Sequence, residues 1–99
     1  MNMQALMQQA QRMQKDMQKK QEEINSTVYE GKSELVDVEV YGTKKIKKIT
    51  IKNKDNFDAE DIEILEDMIK IAMNDAFTKV DKDVESKMGS YGKQLGGLF

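Results

Sequence analysis

The residues of this 99-residue chain whose types could support catalysis are three pairs of adjacent carboxylates: Glu22-Glu23, Glu60-Asp61 and Glu66-Asp67. General acid–base chemistry needs two carboxyl groups in a cleft whose surroundings push their pKa values apart. These pairs instead lie in charged segments with helical patterns, without a companion histidine, cysteine or glycine-rich loop. Each pair is therefore typical of a solvated helix face, and the sequence predicts a protein that is not an enzyme.

The sequence also lacks the residues that most often bind metals or carry out redox chemistry, because the chain has no cysteine and no histidine. A calcium loop needs acidic residues alternating around a glycine, and residues 55–58 have neither the spacing nor the glycine. No apolar run approaches the ~18 residues of a membrane span, and the N-terminus lacks the pattern of a signal peptide. We therefore expect a cytoplasmic protein with no cofactor, no metal, no small-molecule substrate and no membrane partner.

Basic residues indicate a different chemistry, the binding of phosphate groups. The net charge is −2, yet residues 26–54 carry seven basic and four acidic groups, whereas residues 55–86 carry three and eleven. Because the local field attracts phosphates, an acidic total does not exclude nucleic-acid binding. One candidate cluster shares the exposed side of a predicted helix, and the other surrounds a predicted hairpin: Arg12, Lys15 and Lys19, then Lys44, Lys45, Lys47 and Lys48. Taken alone, each cluster is more often a solubilising surface or a blunted sheet edge than a nucleic-acid site.

The first helix is predicted over residues 2–25, because apolar positions recur at alternating steps of three and four without glycine or proline. That stripe consists of Met3, Leu6, Ala10, Met13, Met17, Lys20 and Ile24, in which Lys20 interrupts the apolar pattern. Methionine packs adaptably and fixes geometry poorly. We therefore expect the stripe to pack loosely at a dimer surface, which places Met13 and Met17 in the interface, and a groove for varied ligands is the alternative interpretation.

A long second helix, predicted over residues 58–88, carries more apolar surface than a chain of this size can bury alone. Asp58 is its expected N-cap and Gly89 its expected stop. One apolar stripe suits the chain's own sheet: Ile62, Leu65, Ile69, Ala72, Met73, Ala76 and Val80. The adjoining face needs a second partner, and it consists of Ile64, Met68 and Ile71. Another copy of the chain is the simplest such partner, so the sequence predicts a homodimer.

Three segments between the helices have the composition and alternation of strands, at residues 27–31, 34–41 and 45–52. Gly31-Lys32 and Gly42-Thr43 are predicted as tight turns, which makes the sheet an antiparallel meander. The expected fold class is therefore α+β, an α-β-β-β-α protomer with a three-stranded meander between an N-terminal helix and a long C-terminal helix.

Two further expectations concern the sheet and the domain limits. Ile46 is out of phase with Ile49 and Ile51, which predicts either a bulge near Lys47-Lys48 or a sheet covered on both faces. A single domain is expected over residues 1–88. The glycine-rich residues 89–99 are expected to form a flexible C-terminal tail.

Three stretches of the chain, taken in order, carry a family resemblance. Residues 6–24 form a Gln- and Met-rich helix, Val36 to Gly42 form a strand that ends in a turn glycine, and residues 65–76 contain Leu-Glu-Asp followed by Ala-Met-Asn-Asp-Ala. Together they resemble the YbaB/EbfC family of bacterial nucleoid-associated proteins, over about residues 5–88. Each motif is modest, but their order and spacing make the match specific.

The resemblance implies a tweezer-like homodimer bound to chromosomal DNA in the nucleoid, with little sequence preference. It places DNA contacts on the helices, so Arg12, Lys15 and Lys19 are the first candidates. The long helix is strongly acidic here, which argues against its taking part except through Lys79, Lys82 and Lys87.

The resulting interpretation is a homodimer that holds duplex DNA through backbone phosphates and affects nucleoid organisation and gene expression. The alternative is a protein–protein adaptor or holdase that uses the Met/Gln-rich first helix.

Overall fold

The computed structural model describes residues 2–95. Its elements are two long helices and three strands: α1 Met3–Ser26, β1 Val28–Lys32, β2 Val36–Tyr41, β3 Ile46–Ile51 and α2 Ile62–Leu95. Two single 3-10 turns, Lys54–Asn56 and Ala59–Asp61, lead into α2. The predicted α-β-β-β-α order is confirmed. The molecule is elongated, with extents of 71 × 22 × 15 Å and a radius of gyration of 19.7 Å.

The sheet has the order β1-β2-β3, and both neighbouring pairs are antiparallel, as predicted. Val36 lies opposite Ile51 and Val38 opposite Ile49, and after a register shift Val40 lies opposite Ile46. The shift leaves Lys47 as an extra residue in β3, which confirms the predicted bulge. The bulge brings Ile46 onto the same face of the sheet as the valines of β2.

The core lies between this valine face and α2, which packs on β1 and β2. The side chains at its centre are fully or almost fully buried: Tyr29, Val36, Val38, Val40, Ala72, Ala76 and Val80. Burying a side chain of valine size stabilises the fold by about 1.5 kcal/mol or more. Ile24 at the end of α1 is also fully buried, so α1 is anchored to the body near its C-terminus.

Gly31 lies inside β1, so the predicted Gly31-Lys32 turn is wrong. The reversal comes later, around Ser33, whose N–H donates to the Val36 carbonyl at 2.8 Å. Gly31 is instead needed for the close approach of α2. A Cβ built on Gly31 would lie 1.9 Å from the Ala72 carbonyl oxygen and 2.7 Å from the Ala76 Cβ. No side chain fits in that space, and a local sequence pattern does not reveal a contact between residues so far apart in the chain.

Gly42 does lie in the second hairpin turn, but it does not supply the left-handed residue that a Gly-X turn requires. Lys44 takes that conformation, with φ of 68°, and the Lys44 N–H donates to the Tyr41 carbonyl at 2.8 Å. A Cβ on Gly42 would lie 1.9 Å from the Ile24 carbonyl oxygen. Gly42 therefore lets the hairpin pack directly on the end of α1.

Asp58, the expected N-cap of the long helix, caps the 3-10 turn Ala59–Asp61 that leads into α2. Its carboxylate accepts the Glu60 N–H at 2.9 Å, while the Asp58 N–H donates to the Asp61 carboxylate at 3.1 Å, which completes a capping box.

The prediction that this helix stops at residue 88 is wrong, because α2 continues through Gly89 to Leu95. Helix α2 contains two interior glycines, Gly89 and Gly92. Each costs a helix about 1 kcal/mol, which packing of the helix can offset, and no proline follows to break it. Residues 89–95 of the expected flexible tail are therefore helical, and residues 96–99 lie outside the described residues.

A polar contact adds to the packing of β1 on α2. The Tyr29 hydroxyl donates a short hydrogen bond to the Asp83 carboxylate, which also pairs with Lys87 Nζ at 3.2 Å. Burial and the neighbouring Asp83 raise the pKa of Tyr29 to about 12. The same hydrogen bond holds the pKa of Asp83 below its ordinary value.

This contact predicts a pH dependence of stability. Because folding raises the pKa of Tyr29 from 10.0 to about 12, its contribution is complete below pH ~10 and is lost as the pH rises through ~12. Because folding lowers the pKa of Asp83, the contribution is also lost at acid pH, below ~4.

We expect Tyr29→Phe to lower the free energy of unfolding by about 1.5 kcal/mol at neutral pH, with a difference that shrinks above pH ~10 and below pH ~4. Urea denaturation of both proteins across this range measures the difference. A difference that stays constant from neutral pH to pH ~12 would contradict the assignment.

Candidate nucleic-acid interface

The α1 stripe, Arg12, Lys15 and Lys19, lies fully on the exposed side of the first helix. At 100° per residue these side chains fall within about 60° of one another, over about 10.5 Å of helix. They point at least about 100° away from the apolar stripe that contains Met13, Met17 and the buried Ile24. The apolar side of α1, with Met13 and Met17, faces α2 and β2, the elements with which α1 packs. The α1 stripe therefore projects to solvent.

The α1 stripe makes no ion pair with the part of the chain that the structure describes. Within residues 2–95, no carboxylate lies within 4 Å of Arg12, Lys15 or Lys19, whereas neighbouring Lys20 Nζ pairs with Asp16 at 3.4 Å. An unpaired, solvated cation can meet a phosphate without first breaking an internal contact. Three such charges on one helical face suit contact with a nucleic-acid backbone.

The hairpin cluster, Lys44, Lys45, Lys47 and Lys48, is exposed as a whole, but its members are not equivalent. Lys44 Nζ lies 3.0 Å from the Asp81 carboxylate and 5.9 Å from the centre of the Phe77 ring. Its charge is therefore already partnered on α2. In the described part of the chain, Lys45, Lys47 and Lys48 make no ion pair, so these three remain the better candidates within the cluster.

The outer face of the sheet weakens the case for Lys48. A shallow depression there is lined by Glu30, Lys32, Asp37, Glu39, Lys48 and Thr50, together with Val38. Glu39 lies directly opposite Lys48 in the sheet, and the carboxylates would repel a phosphate. The hairpin packs on the end of α1 through Gly42 and Ile24, and Ile24 is about 7.5 Å along the helix from Lys19, on a different side of it. The hairpin cluster therefore lies at the base of the helix that carries the α1 stripe.

The basic residues toward the end of α2 are mostly engaged within the chain. Lys79 Nζ lies 3.5 Å from the Asp75 carboxylate and donates to the Glu30 carbonyl at 2.7 Å. Lys87 pairs with Asp83. The Lys32 backbone N–H, which donates to Asp75 at 3.0 Å, is the main reason that the pKa of Asp75 is lowered. These contacts join α2 to β1, so Lys79 and Lys87 serve the fold, while Lys82 remains exposed.

The predicted dimer residues of α2 are available for a partner. Ile64 and Ile71 are 49% and 51% exposed, and Met68 is half-buried against the core. Ile62, which was expected on the sheet side, is also exposed, because it begins the helix ahead of the sheet contact.

Sequence reasoning did not identify Ile46 and Ile49 as interface candidates. Both are exposed on β3, although their cross-strand partners are buried, because α2 covers β1 and β2. The phase of Ile46 relative to Ile49 was the only irregularity that the sequence pattern offered at these positions.

Met13 and Met17 are half-buried on α1. Together with Ala10 and Gln14 they line a groove of about 300 Å³, here called the Met groove.

Among residues 2–95, no three His, Cys, Asp or Glu side chains are grouped to hold a metal ion. No helix in that range combines the length and apolarity that crossing a membrane requires.

Comparison with known proteins agrees with the sequence motifs and the fold. The sequence model of the YbaB/EbfC DNA-binding family matches residues 1–95. A nucleoid-associated protein of Lactococcus lactis subsp. cremoris (strain MG1363) is 47% identical over 97 residues, covering 96% of this chain and 97% of the relative. A nucleoid-associated protein of Ligilactobacillus salivarius (strain UCC118) is 41% identical over 100 residues, covering 99% of this chain and 95% of the relative. The chain belongs to the YbaB/EbfC DNA-binding family.

Proposed function

We propose that this chain is a nucleoid-associated protein that binds duplex DNA as a homodimer, mainly through backbone phosphates and with little sequence preference. The observation that carries the proposal is the α1 stripe, three exposed cations that make no ion pair within residues 2–95, on a member of a DNA-binding family. Two relatives that match nearly the whole chain are named nucleoid-associated proteins. In the nucleoid, such a protein would influence DNA organisation and gene expression.

The binding mechanism follows from counterion release. Cations that neutralise phosphates displace condensed counterions from DNA, which gives affinity without reading base identity. The α1 stripe supplies the first contacts, and Lys45 and Lys47 at the base of α1 extend them. The acidic start of α2 would be repelled by DNA, which favours an orientation that presents α1.

Dimerisation would double the number of cations that face one duplex. The exposed isoleucines of α2 and β3 support a second copy as the partner, because apolar side chains on both elements are left uncovered in one chain. Met68 lies beside Ile64 and Ile71 on that surface, and Met13 and Met17 would contribute from α1.

The salt dependence of DNA binding tests the proposal. If the dimer neutralises about four to six phosphates, the slope of log K against log[salt] is expected to be about −4 to −5. Random duplexes should bind with similar, near-micromolar affinity, since the phosphates are common to all sequences. Fluorescence anisotropy at several salt concentrations measures both quantities. Absence of binding even near ~50 mM salt would rule out this function.

The adaptor or holdase function is favoured by one observation, the apolar Met groove. That function predicts negligible DNA affinity at low salt, and binding of a protein partner that is lost when Met13 and Met17 become polar. The same titration therefore separates the two functions.

The dimer has its own test in Ile71→Lys. In a monomer this side chain is half exposed, so a lysine there would be tolerated, whereas an unpaired charge buried between two copies is costly. We expect the variant to dissociate at concentrations at which the wild type is a dimer, as measured by sedimentation equilibrium. Glu66→Gln is the matched control, with the same change of net charge about 140° around the helix. A wild type that is a stable monomer at low micromolar concentration would disprove the dimer.

A further inference from the structure

The N-terminal turns of α1, residues 3–12, are uncovered on every side and are here called the α1 tip. Every residue of the tip is exposed, and the first half-buried position along the helix is Met13. The tip is about 15 Å long, and a helix with its side chains is about 10–12 Å across. The major groove of DNA is about 12 Å wide and admits such a helix. The α1 tip can therefore enter this groove without breaking a contact within the described chain.

One face of the α1 tip continues the line of the α1 stripe. Gln8 lies within about 20° of both Lys15 and Lys19 around the helix, and Gln4 and Gln11 lie within about 40° of Lys15. Between residues 4 and 19, the side chains in this sector of about 100° are three glutamines toward the tip and three cations toward the sheet: Gln4, Gln8, Gln11, Arg12, Lys15 and Lys19.

The glutamines of this face are available for a ligand. Within residues 2–95, the side-chain amides of Gln4, Gln8 and Gln11 make no hydrogen bond, whereas the Gln21 amide donates to Asn25 Oδ1 at 2.8 Å. A neutral amide releases no counterions, so phosphate binding alone does not account for glutamines in line with the cations. A glutamine amide combines a donor with an acceptor, which matches the N7 acceptor and N6 donor that adenine presents in the major groove.

The order of side chains along α1 suggests how deep the tip can lie. Glu22 is exposed, about 4.5 Å beyond Lys19 and within about 20° of Lys15 around the helix. Its carboxylate would repel a phosphate, so the contact with DNA ends at Lys19. Gln8 is about 6 Å nearer the tip than Arg12. The cations therefore suit the phosphates at the edge of the groove, while the glutamines suit the base edges inside it.

We propose that the α1 tip enters the major groove and that Gln8, with Gln4 and Gln11 beside it, hydrogen-bonds N7 and N6 of adenine. This inference rests on the proposed function, because the phosphate contacts of the α1 stripe supply the affinity. The glutamines add a preference of about fivefold for A·T base pairs, the lower end of what one bidentate amide–adenine pair provides. A sequence-specific protein reaches about 10³-fold or more. Random duplexes, which contain both kinds of base pair, therefore still bind alike.

Three duplexes of equal length test the readout: one of A·T pairs, one of G·C pairs, and one of A·T pairs in which 7-deazaadenine replaces adenine and removes the N7 acceptor. Fluorescence anisotropy at several salt concentrations gives the affinity and the salt slope for each. For the wild type we expect about fivefold tighter binding to the A·T duplex than to the G·C duplex, and less than about twofold with 7-deazaadenine. A preference that survives 7-deazaadenine would overturn the proposal, since it would come from duplex shape and not from the base edge.

A variant with Gln4→Ala, Gln8→Ala and Gln11→Ala separates the glutamines from the cations. Alanine favours the helix and leaves the net charge unchanged. We expect the A·T preference to disappear, with the two affinities within about twofold, while the slope of log K against log[salt] stays that of the wild type, because the phosphate contacts remain.

Gln9→Ala is the matched control for Gln8→Ala. Position 9 is equally exposed, but it lies about 100° around the helix from position 8. We expect Gln8→Ala to lower the A·T preference and Gln9→Ala to retain it. Equal effects of the two single changes would contradict the assignment of the glutamine face.

Failure of this inference and failure of the proposed function give different results. If the wild type binds the A·T and G·C duplexes equally, with the expected salt slope, the base readout is wrong and the proposed function stands. The same holds if the triple glutamine variant keeps the preference. Absence of binding to every duplex near ~50 mM salt would instead rule out the proposed function and this inference with it.

Discussion

Replacement of Gly31 with alanine is expected to lower the free energy of unfolding by about 3 kcal/mol or more, a large part of the 5–15 kcal/mol typical of a small domain. The added Cβ would lie 1.9 Å from the Ala72 carbonyl oxygen and 2.6 Å from the Ala76 backbone nitrogen. Both obstacles are backbone atoms, so a change of side-chain rotamer cannot relieve the clash. The helix must move off the sheet, which opens the valine core.

Gly89→Ala is the matched control for this experiment. A Cβ on Gly89 would meet only the Glu85 Cγ at 3.8 Å, and alanine is a better helix former by about 1 kcal/mol. Chemical denaturation should therefore show opposite signs for the two glycine-to-alanine changes. A Gly31→Ala protein as stable as the wild type would mean that α2 does not pack on β1 at the described spacing.

Neutralising the α1 stripe is expected to have the largest effect on DNA binding. Each lost phosphate contact flattens the slope of log K against log[salt] by about 0.9. For Arg12→Gln, Lys15→Gln, Lys19→Gln in both protomers we expect the slope to fall by more than half, and the affinity near 50 mM salt to fall about 100-fold. Because the phosphate backbone is common to all duplexes, every sequence should weaken alike. Anisotropy titrations on two unrelated duplexes measure the effect.

A matched control removes three charges from elsewhere on the surface. Lys32→Gln, Lys54→Gln, Lys70→Gln changes the net charge by the same amount at exposed positions away from α1. If this protein binds DNA as weakly as the α1 variant, overall charge rather than the α1 stripe accounts for affinity. Sedimentation of both variants should show an unchanged oligomeric state, because these side chains lie outside the apolar faces.

Local patterns in the sequence were sufficient to predict the helices and strands and their order along the chain. Apolar periodicity predicted both helices, alternation predicted the strands, and the phase of Ile46 predicted the bulge at Lys47. Asp58 was identified as the N-cap because its capping contacts involve only the residues that follow it. The predicted resemblance to the YbaB/EbfC DNA-binding family is confirmed, because the model of that family matches residues 1–95.

The errors at Gly31 and Lys44 involve contacts between residues far apart in the chain. Glycine was interpreted as a turn residue at position 31 and as a helix stop at position 89, whereas the first supports a close helix–strand contact and the second is carried within a long helix. Likewise, the spacing of Lys44 among other lysines could not reveal its pairing with Asp81 on α2. Which lysines contact phosphate, and which faces pair in a dimer, remain predictions.

The elongated shape has a hydrodynamic consequence. A compact chain of 99 residues would have a radius of gyration of about 13 Å, whereas this chain has 19.7 Å. A compact protein with that radius would contain roughly 300 residues. Gel filtration, which separates by size in solution rather than by mass, would therefore make a single 11.4 kDa chain elute like an assembly of about three compact copies. Only methods that determine mass independently of shape can count the chains in the assembly.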